Sequence, residues 1–238
     1  MKTIKPTLLA VFTAILFLLN HTDTKAQFEQ KFTLQASGGY TNILWGDFYH
    51  LLDNGFTGDI GLQYNFSRRF SLVFLIKYGE VYVKSEPYSG WDGTAGWTAD
   101  LDGDMFYSAF SLSPKYRFLT HRKVQPYVYV GPSFNALDCW VIYNIQEQDS
   151  PPSPPERYED SFAEWTFGVN AGAGLDIGIS DNIALFIQGG YNNMFFYASD
   201  YFIGENVRTG NHEEIDMILE WTYIQFGINI NIFKSRTL

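Results

Sequence analysis

One cysteine, Cys139, stands in a chain of 238 residues, so no intrachain disulfide can form and stability must come from hydrogen bonds and packing. Charge is thin too. Asp, Glu, Lys and Arg make up 18% of the chain, where about 25% is usual. The deficit is mostly positive, with 16 Lys and Arg against 26 Asp and Glu. That balance disfavours a nucleic-acid partner, whose binding depends on cationic contacts to phosphate. No apolar run reaches the ~20 residues that a membrane-spanning helix needs. The longest, residues 8–19, would rise only about 18 Å as a helix, against a hydrocarbon core of about 30 Å.

That short run reads instead as part of a secretory leader. Lys2 and Lys5 precede it, and the small residues Thr24 and Ala26 follow before Gln27, so cleavage is predicted after Ala26. The expected mature chain, 27–238, has 13 basic and 25 acidic residues, a net charge of −12. It has no cysteine near the predicted cleavage site to carry a lipid. Its length suits a single domain of the all-β type. Aromatics are abundant, at 18% of the chain.

The stretch EWTFGVNAGAGLDIGIS, 164–180, alternates strictly. Trp165, Phe167, Val169, Ala171, Ala173, Leu175, Ile177 and Ile179 fall on one face of a strand, and the other face is mostly glycine with Thr166, Asn170 and Asp176. Such period-two alternation is the mark of a β-strand. The pattern recurs over 28–40, 56–66, 70–78, 106–118, 126–136, 183–191 and 221–233, which makes eight strands. Over 183–191 it is less clean, because Phe186 falls on the polar set. None of the apolar sets contains a charge, as lipid contact would enforce, since Lys or Arg at the midplane of a barrel's lipid face costs about 2–4 kcal/mol. A lipocalin-like soluble barrel would instead set a face rich in Lys, Glu and Thr toward water. The predicted fold is therefore all-β: an eight-stranded antiparallel up-and-down transmembrane barrel of the outer membrane. So small a barrel has room only for side chains inside, which gives the glycines a purpose and excludes a wide diffusion pore.

Connections alternate between short and long. SRR (67–69), THRKV (120–124) and SDN (180–182) are short, whereas 41–55, 85–105, 138–163 and 198–215 are expected as long loops. The long segments are acidic and the basic residues Arg68, Arg69, Arg122, Lys123, Lys234 and Arg236 gather at the other end. External placement is predicted for the acidic end.

PKYRF, a basic turn and QPYVYVGPSF, with the earlier hairpin GLQYNFSRRFSLV and the AQ junction, resemble the PorT-like small outer-membrane β-barrel family over essentially 27–238. The resemblance implies an outer-membrane location and, for some members, a role in protein secretion or surface assembly. It implies no catalytic residues. The expected function is non-enzymatic: surface interaction or envelope and secretion assembly through the acidic external loops, with outer-membrane lipids, lipopolysaccharide and envelope or secretion proteins as partners.

Several residue groups carry candidate chemistry. DLDGD (100–104) sets Asp100, Asp102 and Asp104 at alternate positions, an oxygen-rich arrangement that suits Ca²⁺. Ser111 stands where a downstream bidentate Glu would belong, and a solvated acidic loop is the plainer reading. No cofactor is expected beyond a divalent cation at such a loop. QDSPPSPPERYED (148–160) reads as a stiff exposed tip or a polyproline ligand, and Cys139 as a packed residue. The alternative function, an outer-membrane lipid hydrolase or acyltransferase, would draw on His50, His212 and Ser199 in the first and last long loops. Inside the barrel, counting back from the SRR turn puts Asp59 opposite Lys77. Across their own turn, Lys115 and Arg117 fall beside Tyr129 and Tyr127, with Asp176 able to reach them. This charge set serves either as a gate or, the favoured reading, as a network that fills and locks the lumen.

Overall fold

The computed structural model describes residues 30–45, 52–83, 88–91, 96–119, 123–147, 156–201 and 213–234. The predicted leader lies outside them. The strands are β1 (Gln30–Trp45), β2 (Leu52–Asn65), β3 (Phe70–Val83), β4 (Tyr88–Trp91), β5 (Gly96–Arg117), β6 (Val124–Glu147), β7 (Glu156–Gly178), β8 (Ile183–Tyr201) and β9 (Glu213–Lys234). They run antiparallel in the order β3-β2-β1-β9-β8-β7-β6-β5-β4, and a further β3–β5 pairing closes the sheet. The result is a closed barrel of eight staves. The ninth strand, β4, pairs with residues 96–99 of β5, beyond the point where β3 ends.

At one end two tight turns share a serine device. Ser67 Oγ accepts from the Arg69 and Phe70 amides at 3.2 and 3.0 Å, and Ser180 Oγ accepts from the Asn182 and Ile183 amides at 3.4 and 3.2 Å. A hydroxyl that satisfies turn amides in this way favours reversal over continued strand. The turn at Ser67 fixes the register of its hairpin, in which Asp59 faces Lys77.

Outward-facing residues such as Ile60, Phe74, Phe110, Val130, Phe167 and Phe226 are exposed and form the apolar band. Phe32, Tyr64 and Phe66 stack edge to face on it, as do Phe70, Tyr116 and Phe118.

The opposite end differs from its predicted form. Residues 96–105, 138–147 and 156–163, expected as loops, are strand throughout, as are 41–45, 52–55, 88–91, 198–201 and 213–215 of the other expected loops. β5, β6 and β7 are 22, 24 and 23 residues long, although about 9–11 tilted residues suffice to cross hydrocarbon. At ~3.3 Å per residue a surplus of about 12 residues runs roughly 40 Å along the strands, or about 28 Å along the barrel axis at a tilt of about 45°. In 97–105 the faces exchange character, because Trp97, Ala99 and Met105 are buried while Asp100 and Asp102 are exposed. Period two persists with its phase inverted, as it must once water replaces lipid outside the sheet.

Candidate functional site: a two-part lumen beneath an acidic wall

Toward the turn end the lumen is polar. Asp176 on β7 accepts from Lys115 Nζ at 2.9 Å and Arg117 Nε at 3.3 Å, both from β5, and from Asn229 Nδ2 at 3.0 Å. All three charged residues are at most 3% exposed. Arg117 Nη1 also donates to Ser71 Oγ at 2.7 Å, and Ser71 donates to Asn65 Oδ1 at 2.7 Å. Asn65 continues to Thr33 and Thr33 to Asn231, which joins β2, β1 and β9. The Lys115 ammonium lies 3.5 Å from the centre of the Tyr127 ring. One carboxylate thus serves two cations, and amides and hydroxyls take further positions around them, as a buried charge set requires. Val73, Leu75 and Phe186 are apolar spacers here.

Halfway up, tyrosines bridge the walls. Tyr129 and Tyr223 hydroxyls lie 2.7 Å apart, and Tyr223 donates to Asn170 Oδ1 at 2.7 Å. Tyr127 donates to Gln188 Oε1 at 3.1 Å. The glycine face of 164–180 is explained at this level. A Cβ on Gly172 would meet the Tyr129 ring, one on Gly174 the Tyr127 ring, and one on Gly190 the Tyr223 ring. Phe186 likewise occupies the space that Gly227 leaves, so the residue that spoiled the alternation is a lumen filler.

Asp59 and Lys77 are register partners, yet no hydrogen bond joins them. The Lys77 ammonium sits 3.3 Å from the centre of the Tyr223 ring, and neither Asp59 oxygen has a hydrogen-bond partner among the described residues. Both side chains are buried. The two thus stand opposite each other inside the barrel as expected, and Lys77 makes in addition a cation–π contact, which register counting does not foresee because Tyr223 comes from β9, across the lumen.

Above them the lumen turns apolar. Ile43, Leu52, Val81, Met105, Tyr107, Leu137, Cys139, Met194, Leu219, Trp221 and Tyr223 form one buried cluster, and Trp97, Ala99 and Ile145 a second above it. Cys139 is buried within the first cluster. Sequence reasoning missed much of this filling because it assigned Ile43, Leu52, Trp97, Ala99, Met105, Cys139 and Ile145 to loops. The signal was available in the alternation of Trp97, Ala99 and Met105 with the three aspartates.

Asp100, Asp102 and Asp104 are strand residues of β5, not members of a loop. Same-face neighbours on a strand stand about 6–7 Å apart, which spreads the carboxylates along the sheet, and among the described residues no group of three His, Cys, Asp or Glu is placed to hold a metal. His50, His212, and the proline-rich segment as far as residue 155 lie outside the described residues. Ser199 falls within β8.

The outer membrane protein β-barrel domain model matches residues 12–216. The chain belongs to that family. It resides in the outer membrane. In fold it is similar to the outer membrane protein OprG of Pseudomonas aeruginosa, with 12% identity, 87% of this chain and 100% of that one covered, and a TM-score of 0.50. Neisserial surface protein A also matches, at 15% identity over 85% of this chain and 97% of that chain, with a TM-score of 0.48. No curated protein matches.

Proposed function

We propose that the protein acts without catalysis, as a surface-interaction barrel in which an acidic wall outside the membrane engages envelope or secretion proteins, the role that the PorT-like resemblance implies. The observation that carries this reading is the continuation of β5, β6 and β7 beyond the apolar band. Residues 96–105, 137–147 and 156–166 hold nine acidic residues and one basic residue, Arg157. Asp100, Asp102, Asp138 and Glu159 are exposed on this wall. A paired sheet holds these charges in place, as a free loop would not. In the same reading the lumen charges are filling, not a gate, since an apolar cluster fills the lumen between them and the tall end. The apolar band meets outer-membrane lipid, and lipopolysaccharide is the neighbour of the wall's base.

Protease added to intact cells tests the orientation on which all of this depends. Cleavage is expected within 147–160, with 66–69 and 179–182 spared. Cutting at the short turns alone would put the wall in the periplasm and remove the surface role.

A further inference from the structure

The barrel sheet is not closed all the way up. β7 pairs with β8 only from Phe167↔Phe195 to Gly178↔Ala184, whereas its pairing with β6 continues unbroken to Glu156. Residues 157–166 of β7 therefore have a second edge with no strand against it among the described residues. Beyond Phe195, β8 pairs with β9 alone, so a seam opens between two strand edges. The Gly178 amide donates across to Lys123 and the Ile179 amide donates to Ile183. In an antiparallel strand without bulges this parity holds along its length, so residues 157, 159, 161, 163 and 165 point their N–H and C=O groups into the seam.

We propose that this β7 edge is a docking site for an extended cationic polypeptide segment, which adds to the wall as an antiparallel strand. The proposal rests on the surface role given above and names the partner's chemistry. An exposed edge is usually blunted by proline, a bulge, a cover or charged side chains, because its open backbone groups template pairing. Of these the described β7 edge carries only charges, which repel an acidic strand and admit a cationic one. Over 156–166 there is no proline or glycine, and the pairing with β6 shows no register shift. The charge of the wall decides the occupant. A second copy docked edge to edge would bring the same stretch, four acids and one base, against a wall of nine acids and be repelled. Alternating Lys or Arg would instead lie near Asp138, one strand in beside Ala163, and beside Glu159, which Arg157 already pairs within the strand. Backbone pairing then supplies affinity and the flanking carboxylates supply selectivity.

The test uses the full barrel in nanodiscs and a fluorescent peptide of alternating Lys and Val, with a Glu and Val peptide and a backbone N-methylated Lys and Val peptide as controls. Only the unmodified cationic peptide should bind. Ser161→Pro and Ala163→Pro remove N–H groups that point into the seam and leave those facing β6, so the barrel should keep its heat-modified migration while peptide affinity falls tenfold or more. Equal binding by the N-methylated peptide, unchanged binding by both proline variants, or no binding to wild type would each overturn the proposal. An Asp100→Asn, Asp102→Asn, Asp138→Asn variant separates the two readings: if it loses binding while the proline variants keep it, the acidic wall stands and the edge does not. A sedimentation mass that shows dimers in wild type and monomers in Ser161→Pro would assign the seam to a second copy and also overturn it.

Discussion

The turn end and the tall end of the barrel solve opposite problems with the same alternation. Near the turns the outer face meets hydrocarbon, so polar residues face inward, where Asp176, Lys115, Arg117, Asn65 and Asn229 satisfy one another. Toward the tall end the outside is aspartate and the inside is Leu137, Met194, Leu219 and Trp221. One half is held by a hydrogen-bonded charge set in a confined space. The other is held as a soluble sandwich would be, by burial of apolar surface. The β6–β7 ladder runs through both without a break because its backbone hydrogen bonds do not depend on which face is oily.

The sharpest way to break this comparison is Asp176→Ala. It leaves two buried cations without a counter-charge, and removal of one member of a buried set costs about 3–5 kcal/mol. Urea unfolding in lipid vesicles should show that loss, with Asp176→Glu recovering much of it. Leu219→Ala, in the apolar half, should cost about 2–5 kcal/mol from lost transfer energy and the cavity left behind. The two losses should differ in what rescues them: Asp176→Asn, which keeps the shape without the charge, should lose nearly as much as Asp176→Ala, whereas Leu219→Met, which keeps the volume, should lose less than about 1.5 kcal/mol. Full stability in Asp176→Asn would mean that the halves are not held by different forces.

How far these halves were legible follows from the residues. Asp59↔Lys77, Lys115↔Tyr129 and Arg117↔Tyr127 are neighbours across hairpins, and a turn of known length sets such neighbours by counting. Contacts across the lumen depend on shear and on the depth of each side chain. For that reason Lys77 could be placed opposite Asp59 by counting, but its seat on Tyr223 could not. The wall was hidden for a different reason. Searching for an oily face opposite a small polar one finds lipid-embedded strands, and 96–105 has the reverse polarity with the same period.

A mutant cycle sharpens the midpoint between the halves. Lys77 and Tyr223 should couple by about 1–2 kcal/mol, the range of a desolvated cation–π contact, with Lys77→Met and Tyr223→Leu as the single variants. Coupling between Lys77→Met and Asp59→Asn should be smaller, because no hydrogen bond joins that pair. The reverse order would put Lys77 on Asp59 in solution and restore the pair that register alone suggests.

The smallest effect should come from the aspartates of the wall. Ca²⁺ gathers oxygens at about 2.3–2.6 Å from one centre, so two ligands can be no more than about 5 Å apart. Along β5, Asp100 and Asp104 are four residues apart on one face, which sets their backbones roughly 13 Å from each other. A short side chain cannot close that distance without breaking the pairing of 100–104 with 140–144 of β6. Chelation and Asp102→Asn should therefore each move unfolding stability by no more than about 0.5 kcal/mol, as for ordinary surface changes. A larger stabilisation by Ca²⁺ or Mg²⁺ that disappears in Asp102→Asn would show an ion held at the wall, and would require these strands to part locally to hold it.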